Sequence, residues 1–299
     1  MTRTAISPRL AIRIFFSTPH TLARVTPSDG NRGDHARGGF PDGVPGTRFA
    51  RVDWVDGTGS TNADLLAAAS AGAAEGLVLV ADHQRAGRGR LGRVWQAPPG
   101  ASLLVSVLLR PQMPADRLFL LTLAAGLAAA EAVESLAGVR LGLKWPNDLV
   151  VVDGPLADRK VAGILAETHV AGGRVGAVVV GMGLNVDWPD DVPADLAELA
   201  ASLDRLAPVI SRSELLVQWL VRYESWLVRL EQGDDVALLD AVRERSATLG
   251  RRVLVETADG TFDGVAVELD ADGSLRVRTD DGGVESVRVG DVVHARLHR

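Results

Sequence analysis

Residues 87–95 read GRGRLGRVW: Gly87, Gly89 and Gly92 alternate with Arg88, Arg90 and Arg93, and the stretch closes on Trp95. Glycine tolerates positive φ and lets backbone N–H groups approach an anion closely. Guanidinium groups add permanently charged planar forks that match carboxylate and phosphate. The pattern is that of an anion-binding loop. It is not the P-loop of nucleotidases, because no Gly-Lys-Ser/Thr ends it. Gly/Arg tracts that bind RNA are long and repetitive, whereas this one is short and lies between two apolar runs. A solvated surface loop with incidental arginines is the remaining alternative.

Other short stretches carry polar groups against apolar sequence. In KWPNDLVV (144–151) a lysine, an aromatic, Asn147 and Asp148 crowd a bend set by Pro146; an Asn-Asp pair alone is usually only a turn. In RKVAGILAE (159–167) Lys160 opens an apolar run, which puts its ammonium at a cavity mouth or, as for most lysines at strand starts, in solvent. GMGLNV (181–186) is a weak signal, an incomplete dinucleotide fingerprint.

Composition narrows the function classes. With 299 residues, 46% hydrophobic and 23% charged, the chain suits one or two globular domains. A net charge of -6 repels nucleic acid and anionic membrane, so such contacts would need a local patch. There is no cysteine, which removes disulfides, thiolate nucleophiles and cysteine-ligated metals and fits a reducing, cytoplasmic setting. The apolar stretch Leu118–Ala130 is bounded by Arg117 and Glu131; it is short for a bilayer and reads as a buried helix.

The elements that must position these groups follow from periodicity. RVDWV, GLVLVAD and SLLVSVLLR read as strands. STNADLLAAAS reads as a helix capped by Ser60 or Thr61. A long buried helix covers ADRLFLLTLAAGLAAAEAVESL, and VRLGLKWPNDLVVVDG, RKVAGILAETHV and RVGAVVVGMGLNV are three strand-like segments. SELLVQWLVRYESWLVRLE and DDVALLDAVRERSATL are amphipathic helices. Irregular alternation predicts an α+β fold, a mixed β-sheet flanked by helices, over residues 48–248. Residues 249–299 alternate apolar and polar residues between ADG and DDGG turns, the pattern of a small SH3-like β-barrel of about five strands. Residues 1–47, rich in Gly, Pro and Arg, read as a disordered extension or an upstream misassigned start.

In this order, GSTNADLL, HQRAGRGRLGRVW, KWPNDLVV, RKVAGILAE and GMGLNV resemble the biotin protein ligases, over roughly residues 51–297. The resemblance implies a class II synthetase-like catalytic domain that joins biotin to ATP as biotinyl-5′-AMP. It then passes the biotin to a lysine of a biotin carboxyl carrier domain of an acyl-CoA carboxylase. It also implies roles. Ser60, Thr61, Asn62 and Gln84 would meet the ureido ring; Arg88, Gly89 and Arg90 would carry carboxylate and phosphate, with Arg93 assisting. Trp95 would cover the adenine or close the loop. Lys160 would neutralise charge between carboxylate and α-phosphate. Gly163, Ile164 and Leu165 would line the biotin slot, Asn147 and Asp148 would meet nucleotide and incoming amine, and Asn185 would contact the nucleotide. Mg²⁺ would arrive with ATP, held by phosphates and water without assigned protein ligands.

The loop is expected to order around ligand and shield the acyl-adenylate from water. Residues 1–47 lack the periodic helices of the winged-helix repressor domain that some family members carry, so a ligase without DNA binding is expected. A lipoate or octanoate transferase, the alternative with a similar fold, is disfavoured by the missing Arg-Arg/Gly-Gly-Gly loop and catalytic cysteine. A non-enzymatic binding module would release no pyrophosphate.

Overall fold

The computed structural model describes residues 43–299 except 209, 258–259, 289–294 and 298–299. Most of the expected N-terminal extension therefore lies outside the described residues. Val44 and Phe49 are buried in the core, and Phe49 stacks on Tyr223. Arg48 ties this segment down through ion pairs to Glu75, Glu224 and Glu231.

Seven strands build the main sheet: β1 (Arg51–Val55), β2 (Leu77–Ala81), β3 (Ser102–Leu109), β4 (Leu141–Lys144), β5 (Asp148–Val151), β6 (Lys160–Ala171) and β7 (Arg174–Asn185). Their spatial order is β1-β2-β3-β7-β6-β5-β4. β1 and β2 run parallel, joined through α1 (Thr61–Ser70), and the other pairs are antiparallel. This is the expected mixed sheet. One reading changes: VRLGLKWPNDLVVVDG is not one strand-like segment but a hairpin, β4 and β5, turned at Trp145–Asn147. A short helix, α3 (Ala194–Leu199), was not anticipated either.

Helices cover both faces. On one side, α1 packs Leu65 and Ala69 against Leu108, Ala177 and Val179. On the other, α2 (Phe119–Ala137), α4 (Arg212–Glu231) and α5 (Asp235–Glu244) form the main core with the sheet. α2 and the turn before it, Ala115–Ala137, are long and apolar enough to cross a membrane by length and composition, longer than the apolar stretch suggested; the helix is instead buried in the core. α4 earns its place by spacing: Leu215, Leu216, Trp219, Leu220, Tyr223, Trp226, Leu227 and Leu230 form one buried stripe. Trp219 Nε1 and Tyr223 OH donate to the α2 carbonyls of Ala125 and Leu121, at 3.0 and 3.1 Å.

β8 (Arg252–Thr257), β9 (Gly260–Leu269), β10 (Leu275–Thr279), β11 (Val284–Val287) and β12 (Ala295–Leu297) form a separate antiparallel sheet, ordered β11-β10-β9-β8-β12. Among the described residues β11 pairs with β10 and β12 with β8, at the two edges of the sheet. Trp145 fastens this sheet to the body: its backbone N–H donates to Thr248 Oγ1 at 2.9 Å, and its indole N–H donates to Gly273 O at 3.0 Å.

Arg110 fixes α1. Its guanidinium donates to Ala69 O and Ala73 O at the helix C-terminus and to Gly176 O of the β6–β7 hairpin. Charge-assisted hydrogen bonds of this kind contribute about 2 kcal/mol. Arg110→Ala is expected to lower unfolding free energy by that order, read as a reduced urea midpoint at unchanged slope.

Candidate active site

The cleft lies on the α1 face of the sheet. Its first wall is the start of α1, capped by Ser60, whose Oγ accepts Ala63 N–H. Beyond β1 and β2 the backbone keeps pairing: Thr58 bridges Gln84, and Arg85 and Ala86 donate to Thr58 and Gly59. That continuation brings Gln84 to the helix start, where its Oε1 accepts Thr61 N–H at 2.8 Å and lies 3.1 Å from Thr61 Oγ1. Ser106 of β3 lies 2.7 Å from Thr61 Oγ1 and donates to Asn62 Oδ1 at 2.6 Å. Ser60, Thr61, Asn62 and Gln84 thus meet as expected, joined by Ser106.

The floor is β6 and β7. Their register sets Gly163 opposite Gly183 and Leu165 opposite Gly181. Alternate residues share a strand face, so the glycines leave one strip of bare backbone beside α1. A Cβ on Gly181 would lie 2.0 Å from Asn62 Oδ1, and one on Gly183 would lie 2.4 Å from the Trp95 ring. A Cβ on Gly163 would lie 2.7 Å from Lys160 Nζ and 3.0 Å from Trp95. The weak GMG signal therefore marks a close approach of side chains to backbone, not a dinucleotide turn. Ile164, by contrast, turns its side chain into the core and faces the cleft only through its backbone.

The arginine loop forms a small hairpin. Arg88 bridges Val94, Trp95 N–H donates to Gly87 O, and Gly89 N–H donates to Arg93 O. Leu91 sits at φ 55 beside Gly92 at φ 74, making the tight reversal. The two arginines expected to act together line one cavity with Lys160 and Asp148 but take different partners. Arg88 Nη1 donates to Glu167 Oε1 at 3.0 Å, near Asn62. Arg90 Nη1 donates to Asn147 Oδ1 at 3.2 Å, at the opposite end of the cleft. Burial lowers the Arg90 pKa; Asp148 opposes that shift and Arg93 adds to it. Arg93 lies at the exposed side of the loop.

At the Arg90 end stand Lys160, Asp148 and Asn147. Lys160 Nζ is 2.6 Å from Asp148 Oδ1, close as an ion pair but not aligned as a hydrogen bond. It also lies 5.2 Å from the Trp95 ring centre, within cation–π range. The Lys160 ammonium thus lies at the cleft, the cavity-mouth reading rather than the solvent one. Asn147 is held by β6: its Nδ2 donates to Ile164 O, and its carbonyl accepts Ile164 N–H, at 2.7 and 2.8 Å. The Trp95 indole covers the glycine floor with its N–H buried against Gly183 and without an acceptor.

Asn185 is the predicted site residue that the structure keeps out of the cleft. It shares the face of Gly181 and Gly183, yet residues 200–202 cover it. It is 1% exposed, and its Nδ2 donates to Ala201 O at 3.1 Å and to Lys160 O at 3.5 Å. Its observed contacts hold the backbone at Lys160. Four residues of the cleft were missed: Ser106, Gly181, Gly183 and Glu167. Glu167 was legible in principle, because Gly163, Leu165 and Glu167 follow one another at the two-residue step of a strand face.

The chain matches the Biotin/lipoate A/B protein ligase family over residues 57–185 and the Biotin protein ligase C terminal domain over residues 248–295. It is 40% identical over 258 residues to the biotin–[acetyl-CoA-carboxylase] ligase of Mycobacterium tuberculosis, covering 84% of this chain and 91% of that protein. It is 32% identical over 248 residues to the bifunctional ligase/repressor BirA of Bacillus subtilis, covering 82% of this chain and 74% of that one. A biotin protein ligase from Aquifex aeolicus, solved in complex with biotin and ATP, is similar in structure with a TM-score of 0.70 at 28% identity, covering 83% of this chain and 98% of that chain. The motif order, the glycine-floored cleft and both domain matches converge, and the chain belongs to the biotin protein ligase family.

Proposed function

We propose that this chain is an ATP-dependent biotin protein ligase that biotinylates a lysine on the carrier domain of an acyl-CoA carboxylase. One observation carries the reading: a single groove has hydrogen-bonding groups from α1 at one end and a cationic cluster, Arg90 and Lys160, at the other. A ligand with a polar uncharged ring and a carboxylate tail fits that polarity. The lipoate alternative loses ground because the match over residues 248–295 is to a biotin protein ligase domain.

In the first half-reaction a biotin carboxylate oxygen bonds to the α-phosphorus of ATP, and the bond to the pyrophosphate oxygen breaks. The obstacle is repulsion between two anions, so positioning and charge stabilisation are what the protein supplies. Lys160 and Arg90 carry that charge, with Asp148 holding the ammonium in place. Arg93 assists from the loop, and Trp95 shields the product from water. In the second half-reaction the carrier lysine nitrogen attacks the acyl carbon and AMP leaves with the bonding pair. Asp148 stands where it can orient that amine and take its proton. Asn147 keeps Arg90 turned toward the same point.

Magnesium enters this reading as part of the nucleotide substrate. Among the described residues no cluster of three His, Asp or Glu forms a metal cage, and Asp148 and Glu167 are ion-paired with Lys160 and Arg88. No step is routed through the metal.

Biotin-dependent exchange of labelled pyrophosphate into ATP tests the reading. Wild type is expected to exchange, and Arg88→Ala and Lys160→Ala to lose most of it, about 100-fold or more for Lys160, with folding intact by circular dichroism. Wild-type rates in both variants would remove these side chains from the reaction. Gly181→Ala places a methyl on the Asn62 oxygen; calorimetry is expected to show biotin affinity reduced at least about tenfold.

A further inference from the structure

We infer that Glu167 is a positioning residue that makes Asn62 a pure hydrogen-bond acceptor toward the ring end of the cleft and keeps Arg88 at that end. The inference rests on the ligase reading only for the identity of the ring.

Both N–H bonds of the Asn62 amide are committed. Its Nδ2 donates to Leu165 O at 3.1 Å and to Glu167 Oε2 at 2.9 Å, which uses both of its N–H bonds. Its Oδ1 faces the opposite way, accepts from Ser106 Oγ at 2.6 Å and fills the space left by the absent Cβ of Gly181. One lone pair of Oδ1 remains for a ligand. Rotating the amide by half a turn would press its oxygen against the Leu165 carbonyl and the Glu167 carboxylate, two acceptors, while pointing donors at the Ser106 oxygen. The backbone carbonyl is unavoidable; the carboxylate is the removable part, and its charge makes the reversed amide costlier than the carbonyl alone would.

The other oxygen of Glu167 holds Arg88 Nη1 at 3.0 Å. One carboxylate thus bridges a side chain of α1 and a side chain of the loop, elements with no other side-chain link between Asn62 and Arg88 among the described residues. With Arg88 occupied there, the charge of Arg90 serves the Lys160 end. The arrangement selects rings that present an N–H donor, as a cyclic urea does, over rings that present only acceptors or sulfur at that point.

Glu167→Gln tests this, because it keeps the shape, removes the charge and offers Asn62 an amide that pairs with either orientation. In pyrophosphate exchange the biotin KM is expected to rise about tenfold, the loss of one charge-assisted hydrogen bond, while the ATP KM stays within about twofold. In an Asn62→Ala background the same substitution is expected to add little more than its Arg88 part, and in an Asn62→Ala/Arg88→Ala background nothing. An unchanged biotin KM, an equal rise in both KM values, or full additivity in the triple variant would overturn the inference. The side-chain amide of Asn62 supplies a readout independent of activity: in ligand-free protein its NMR signals should show one amide orientation with two hydrogen-bonded, slowly exchanging protons, and in Glu167→Gln a second orientation and faster exchange should appear. A wild type inactive in exchange would sink the ligase reading, and those signals would still decide the role of Glu167. Unprotected Asn62 protons in wild type would end it.

Discussion

The site depends on the register in which β6 and β7 pair. Setting Gly163 opposite Gly183 and Leu165 opposite Gly181 clears three side chains from a strip of sheet, and the vacated depth admits Asn62 at one end and Trp95 at the other. A slip of one residue would turn every side chain to the opposite face, bringing Met182 and Ile164 out of the core and into the cleft. Glycine normally weakens a strand through backbone entropy and lost packing. Here that cost is offset by the long two-sided ladder, flanked by β3 on one side and β5 on the other.

Charge is organised on that floor. An acidic chain concentrates cations in one loop, and the fold then gives Arg88 and Arg90 different partners. Glu167 engages Arg88 at the ring end, while Arg90 reaches Asn147 and Lys160 meets Asp148 at the other. Arg88 and Lys160 each face a carboxylate, and Asp148 offsets part of the repulsion between Arg90 and Arg93. Under the proposed function, an incoming carboxylate and phosphate would meet positive charge already oriented by the protein, which leaves little reorganisation for the reacting state.

The C-terminal sheet reaches both strand ends that carry this chemistry. Trp145, next to the turn before Asp148, donates to Gly273. Asp158, two residues before Lys160 and at φ 67, is held bidentately by Arg251 at 2.6 and 2.9 Å. Asn185 adds a third support, since its buried amide bonds the Lys160 carbonyl and the Ala201 segment above it. Asp148 and Lys160 thus sit on backbone that is anchored from behind, and their ion pair joins two supported strands.

Much of this was legible in the chain. Strand and helix positions followed from periods of two and about 3.6. The Ser60 cap, the arginine loop and the Trp-Pro-Asn-Asp bend are chemistry written within a few residues. The β4–β5 hairpin escaped because its flanks are apolar on both sides and read as one run. Glu167 escaped because its partners, Asn62 and Arg88, lie 105 and 79 residues away, and Asn185 was misplaced because a segment 16 residues downstream covers it. The amino-acid order by itself determined which groups could bind an anion and which segments would be helix or strand, since caps, turns and periodicity act over a few bonds. Tertiary structure alone decided which partner each arginine takes and which glycines face each other. Those outcomes depend on the pairing of distant strands, where register is set by the fit of whole surfaces and not by any neighbouring residue.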